Sequence, residues 1–138
     1  MNKPVYITWQ KFIRDVEKLA NSLKGEGFDK ILVVAKGGLI PAYFISKILG
    51  INYIDTACVS FYEGTKRREL KVDKIEQNNE DGWLIVDDLI DSGLTMKIVK
   101  QYYPKAKMAT LYIKEPSPAP DYHIQTFPDV WINFPWGD

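Results

Sequence analysis

The sequence predicts an α/β fold with a mostly parallel central sheet flanked by helices, as one domain over residues 1–138. Three observations predict it. Ile31-Leu32-Val33-Val34 and Trp83-Leu84-Ile85-Val86 are short apolar runs without polar alternation, as strands covered on both faces require. Segments of helical periodicity alternate with such runs, the pattern of parallel strands joined by helical crossovers. The 138 residues are 46% hydrophobic and 26% charged, which is ordinary for one globular domain that can bury a core without staples.

Taken in order, residues 10–24 place Phe12, Ile13, Val16, Leu19, Ala20 and Leu23 at three- and four-residue steps. That is one face of an amphipathic helix, and Gly25-Glu26-Gly27 ends it. The strand 31–34 follows, broken by Ala35-Lys36-Gly37-Gly38, and residues 40–49 read as a second helix ending at Gly50. Residues 53–60 read as a strand passing into the polar stretch 62–68. After Leu70-Lys71-Val72, the segment Asn78-Asn79-Glu80-Asp81-Gly82 is turn chemistry. The strand from Trp83 leads into Asp87-Asp88-Leu89-Ile90-Asp91-Ser92-Gly93 and a helix to about Tyr102. Residues 107–113 form a further strand, and the chain from Pro116 to Trp136 is rich in proline and aromatics.

Composition excludes several function classes. Eighteen Lys and Arg balance eighteen Asp and Glu, so no global positive field draws nucleic acid or an anionic membrane. Cys58 is the single cysteine and His123 the single histidine, which rules out an intramolecular disulfide and a Cys/His zinc site. Both are expected to be structural. No apolar run reaches the ~18 residues of a membrane span, and Met1-Asn2-Lys3-Pro4 does not open a signal peptide. A cytoplasmic protein is expected.

In an open parallel sheet, ligands bind beyond the carboxyl ends of the strands. Two unusual loops, 35–38 and 87–95, leave such ends. The second carries three carboxylates, then Ser92-Gly93-Leu94-Thr95 opening a helix. Backbone N–H groups at a helix N-terminus, with the hydroxyls of Ser92 and Thr95, form a phosphate cradle. Asp87 and Asp88 would repel phosphate, so they suit a ribose diol or a Mg²⁺ ion that bridges to phosphate oxygens. A phosphorylated sugar with a metal-bound polyphosphate meets all these demands. The plainer alternative is an acidic cluster favoured by the helix dipole, which accounts for one aspartate but not for three.

The stretch from Asp87 to Thr95 resembles the ribose-phosphate motif of the type I phosphoribosyltransferases. Further segments in the same order resemble the bacterial xanthine-guanine branch of that family. They are Tyr6-Ile7-Thr8-Trp9, Gly37-Gly38-Leu39-Ile40-Pro41, Leu49-Gly50-Ile51, Arg68-Glu69-Leu70-Lys71-Val72, Tyr103-Pro104-Lys105-Ala106 and Trp131-Ile132 with Pro135-Trp136. The resemblance implies transfer of a 5-phosphoribosyl group from phosphoribosyl pyrophosphate (PRPP) to a 6-oxopurine. The products would be a nucleoside monophosphate and pyrophosphate, in purine salvage.

It also implies roles. Asp91, Ser92, Gly93, Leu94 and Thr95 would hold the 5′-phosphate. Asp87 and Asp88 would hold the ribose hydroxyls directly or through Mg²⁺, and Asp91 would serve as general base near purine N7. Lys36, Gly37 and Gly38 would meet the pyrophosphate, with Arg68 on a loop closing over it. Lys66 and Arg67 are read as solvated neighbours. Lys114 would donate to the purine 6-oxo group, Trp131 would stack on the base, and the backbone of Ile132 would read its 2-position. A small C-terminal hood would carry these base contacts, and the assembly would be a homodimer or homotetramer. Leu94 and Asn133 depart from the residues usual there, a smaller side chain and an acidic one.

Two other classes fit the sequence less well. A PRPP-sensing regulator that binds nucleic acid needs an added module or a basic face, and the sequence offers neither. A phospho-aspartate domain leaves the Ser-Gly-x-Thr helix opening unexplained.

Overall fold

The computed structural model describes residues 3–63 and 68–137, with backbone alone for Glu63 and Arg68. In chain order the elements are β1 (Val5–Tyr6), α1 (Trp9–Leu23), β2 (Lys30–Ala35), α2 (Leu39–Leu49), β3 (Tyr53–Glu63) and β4 (Arg68–Lys74). They continue as β5 (Trp83–Ile90), α3 (Leu94–Tyr102), β6 (Lys107–Lys114), β7 (Gln125–Phe127) and β8 (Ile132–Asn133). The α/β class and the helix-flanked, mostly parallel sheet are as the sequence predicts.

Six strands form the main sheet in the order β4-β3-β2-β5-β6-β7. All neighbours are parallel except β4, which returns antiparallel along β3 as an edge hairpin. The apolar runs alternate between two cores, because successive strand residues face opposite sides. Ile31, Val33, Leu84 and Val86 join Phe12, Val16 and Leu19 of α1 and Ala42 and Ile45 of α2. Leu32, Val34, Trp83 and Ile85 join Val99 of α3 and Tyr103 on the other side. Two cores on one sheet explain why these strands carry no polar alternation.

Local signals set the helix ends. Thr8 caps α1, its Oγ1 accepting from the Lys11 N–H at 3.1 Å. Gly50 ends α2 in the left-handed region at φ 70°. A buried polar tie fixes α1 to the far end of the sheet. The Tyr112 hydroxyl donates to Asp15 at 2.7 Å, and the Lys11 ammonium reaches Asp15 at 2.9 Å and Gln125 at 2.8 Å.

The C-terminal segment folds back over the strand ends. β8 pairs in parallel with β1, far from its own position in sequence. Among the described residues no helix is long and apolar enough to cross a membrane.

Candidate active site

Strand β5 is longer than the sequence indicates. It runs to Ile90, so Asp87 and Asp88 lie within the strand rather than in a loop, with Asp87 opposite Thr110 of β6. At this end of β5 the two carboxylates stay together: the Asp88 N–H donates to Asp87 Oδ1 at 2.8 Å, and both side chains line the same cavity. The turn proper shrinks to Asp91-Ser92-Gly93, and α3 starts at Leu94, with Gly93 as its cap at φ 85°. A left-handed cap of this kind needs glycine. The Ser92 hydroxyl accepts from the Leu94 N–H at 3.3 Å.

The 35–38 loop packs directly against this strand. A Cβ on Gly37 would lie 2.5 Å from the Asp88 carboxylate, and one on Gly38 would lie 2.3 Å from the Val86 carbonyl oxygen. At Gly38 only glycine lets the loop approach β5 so closely. Together they line a cavity of about 240 Å³ that holds Lys36, Gly37, Asp87, Asp88, Asp91, Ser92, Gly93 and Thr95. Lys36 is exposed at its edge. Leu94 looks into a neighbouring groove with Asp91, Ser92 and Gly93.

Burial raises the Asp87 carboxyl well above its ordinary value, and the neighbouring Asp88 charge adds to the rise. Burial raises Asp88 as well. Burial thus disfavours the charged form of both groups. The described residues hold no cluster of three or more His, Cys, Asp or Glu side chains that could cage a metal by themselves. Mg²⁺ commonly takes one or two carboxylates and completes its octahedron with water and substrate phosphate oxygens. Two adjacent hard oxygen donors beside a phosphate-type loop fit that habit.

A second grouping lies beside the cavity. Lys114, at the end of β6, is almost completely buried, and its ammonium stands 3.8 Å from the Asp91 carboxylate. The same ammonium lies 5.5 Å from the centre of the Trp131 ring, within cation–π range. Trp131 is 55% exposed, unlike Trp83, which fills the α3-side core. Ile132 is buried, and β1 takes the carbonyls on either side of it, from Trp131 to the Val5 N–H and from Asn133 to the Ile7 N–H. In a parallel ladder the intervening Ile132 carbonyl then points to the opposite edge.

The structure thus brings Asp91, Lys114 and Trp131 together, although 23 and 17 residues separate them in turn. Gly38 lies beneath the loop rather than in the cavity. Arg68 begins β4 opposite Glu63, and its side chain, like Lys66 and Arg67, lies outside the described residues. Cys58 is a half-buried free thiol on β3, and His123 is exposed near Thr126.

Sequence reasoning missed Ser117. Its hydroxyl donates to the Asp91 carbonyl, and its N–H bonds the Lys114 carbonyl at 3.0 Å. Pro118 sits against Gly93. The Pro116-Ser117-Pro118 stretch carries no motif, so only its position after β6 reveals that it links the phosphate-type loop to Lys114.

The described geometry has counterparts among known proteins. A family model described as a phosphoribosyl transferase domain matches residues 6–137. The structure of a purine phosphoribosyltransferase from Pyrococcus horikoshii is 34% identical, with a TM-score of 0.85, covering 99% of this chain and 95% of its own. The Helicobacter pylori xanthine-guanine-hypoxanthine phosphoribosyltransferase shares the fold at 21% identity and TM-score 0.84, over 97% of this chain and 94% of its own. The Trypanosoma cruzi hypoxanthine phosphoribosyltransferase, complexed with the product IMP, shares it at 18% identity and TM-score 0.67, over 88% of this chain and 76% of its own. On the domain match and the similarity that runs through nearly the full length of both chains, this protein belongs to the phosphoribosyltransferase family.

Proposed function

We propose that the protein transfers the 5-phosphoribosyl group of PRPP to a 6-oxopurine, guanine, xanthine or hypoxanthine, releasing pyrophosphate in purine salvage. The observation that carries this reading is the buried Lys114 beside Trp131 and beside Asp91, which itself lines the Asp87–Asp88 cavity. An ammonium only donates hydrogen bonds, so it favours a C6 carbonyl over the C6 amino group of adenine. The exposed indole face of Trp131 suits stacking on a purine.

The reaction breaks the bond from C1′ to the pyrophosphate oxygen and forms one from C1′ to the purine nitrogen. It passes through an oxocarbenium-like state, so positioning and charge placement supply most of the rate. In this reading residues 91–95 hold the 5′-phosphate through the α3 N-terminus and the Ser92 and Thr95 hydroxyls. Asp87 and Asp88 orient the ribose hydroxyls. When bound there, Mg²⁺ would neutralise charge on the departing pyrophosphate. Lys36 and the backbone of Gly37 and Gly38 meet the pyrophosphate from the other side, with Arg68 closing over it. Asp91 takes the proton shed from the purine imidazole near N7, and its approach to Lys114 keeps the acid–base and base-reading groups in register.

The assembly we propose is a homodimer in the cytoplasm. Helix α2 is apolar nearly all round, and Leu39 and Tyr43 leave about half of their surface exposed, as do Tyr53 and Ile54 at the start of β3. A helix without a polar face wants cover on every side.

The test is a purine panel with PRPP, with and without Mg²⁺, following nucleotide formation from guanine, xanthine, hypoxanthine and adenine. Metal-dependent transfer to the 6-oxopurines and not to adenine is expected. PRPP binding without transfer to any base would move the protein to a sensor role, and absence of PRPP binding would overturn the reading of the loop.

A further inference from the structure

Trp131 stands just before the two-residue strand β8 with more than half of its surface open, so packing alone does not fix its ring. Two contacts hold it. One is the Lys114 ammonium over its face, and the other is a hydrogen bond from its Nε1 to Asn133 Oδ1 at 3.2 Å. That hydrogen bond places the Asn133 side chain beside the indole. The indole nitrogen only donates, which assigns the amide oxygen of Asn133 to it. What the Asn133 side chain has left is a neutral pair of N–H donors on Nδ2.

We propose that Asn133 is a positioning and specificity residue for the purine: it sets the plane of Trp131 and presents a neutral donor edge that favours a 2-oxo over a 2-amino group. This rests on reading the Lys114–Trp131 slot as the base site. A purine stacked on Trp131 and bonded to Lys114 at its 6-oxo group would turn its 2-position, on the pyrimidine edge, towards the segment 131–133. There, a carboxylate in place of the amide would attract the 2-amino group of guanine and repel the 2-oxo group of xanthine. Hypoxanthine, with only hydrogen at C2, is indifferent to that difference and reports on the ring position alone.

The test uses the full-length protein with Asn133→Ala and Asn133→Asp. It reads KM and kcat for xanthine, guanine, hypoxanthine and PRPP, and the Trp131 indole N–H resonance in ¹⁵N spectra, assigned by its loss in Trp131→Phe. In Asn133→Ala we expect the indole resonance to shift and exchange faster. The KM for every base should rise about three- to tenfold, with PRPP unaffected, as for one lost neutral hydrogen bond. Asn133→Asp keeps an acceptor for the indole, so the hypoxanthine KM recovers. Its xanthine-to-guanine ratio of kcat/KM should fall by about fivefold or more, within the range that one polar contact supports.

An unchanged indole resonance and base KM in Asn133→Ala would overturn the positioning role, and an unchanged ratio in Asn133→Asp would overturn the specificity role. If the wild-type protein transfers to no purine while the indole responds as expected, the reading of the base site fails and the Asn133–Trp131 hydrogen bond stands.

Discussion

Asp87 and Asp88 form a buried pair of carboxyls whose charge opposes stability. Burial raises both carboxyls above the ordinary carboxylate value, with like charge adding to the rise at Asp87. A raised carboxyl means that the folded chain holds its proton more tightly than the unfolded chain does. The charged pair therefore costs stability at neutral pH, and the cost fades as pH falls towards 3.8, where the unfolded groups also protonate. We predict that Asp87→Asn raises the melting temperature of the ligand-free protein at pH 7, and that its advantage over the wild type shrinks as the pH is lowered to 4. Transfer activity should fall by about a hundredfold or more, as when a preorganised charge contact is removed. Thermal melts across pH with parallel rate assays decide it, and a variant less stable than the wild type at neutral pH would contradict the electrostatic account.

Between β2 and α2, the chain must turn within a bond length or two of β5. Gly38 has an ordinary φ of −81°, so it is required for space and not for conformation. Its added Cβ would press on the carbonyl oxygens of Val86 and Val34, which are backbone atoms that cannot swing aside. Gly25, at φ 78° with nothing near its Cβ, is the opposite case. Gly38→Ala should cost about 1–3 kcal/mol by overpacking and weaken PRPP binding, because the loop lifts from β5. Gly25→Ala should cost about 1 kcal/mol and leave PRPP binding unchanged. Denaturant melts with PRPP calorimetry separate the two. The glycines of the 35–38 loop are visible in the sequence, but the reason for them is not, since it lies on a strand some fifty residues away.

At the scale of the whole molecule, one sheet with a core on each face leaves the outer side of α2 as apolar surface without cover among the described residues. Tyr43→Glu should convert a dimer into a monomer of unchanged circular dichroism, read by sedimentation at micromolar concentration. A wild-type protein that already sediments as a monomer would remove the basis for a homodimer. The same scale accounts for the grouping of Asp91, Lys114 and Trp131. Asp91, Lys114 and Trp131 leave β5, β6 and the C-terminal segment, and the parallel order β5-β6 with the β1–β8 ladder folds those three exits to one end.

Local chemistry was legible in the residues. Period marked α1, glycines at their ends marked α2 and α3, unbroken apolar runs marked the central strands, and the acids before Ser92-Gly93-Leu94-Thr95 marked the loop of the candidate site. Those features depend on neighbours within a turn or two, which sequence displays. β4, β7 and β8 were not legible, because short edge and ladder strands are defined by a partner elsewhere in the chain and carry little pattern of their own. The same holds for the extension of β5 through Asp87 and Asp88, which pairing with β6 decides. It holds equally for Ser117 bridging Asp91 and Lys114, and for Asn133 holding the Trp131 indole. By itself the sequence determined the fold class, the glycine turn that opens α3 and the residue types available for chemistry. Only the tertiary structure decided which of them meet, because hydrogen bonds and burial between distant segments exist only once the sheet has brought those segments together.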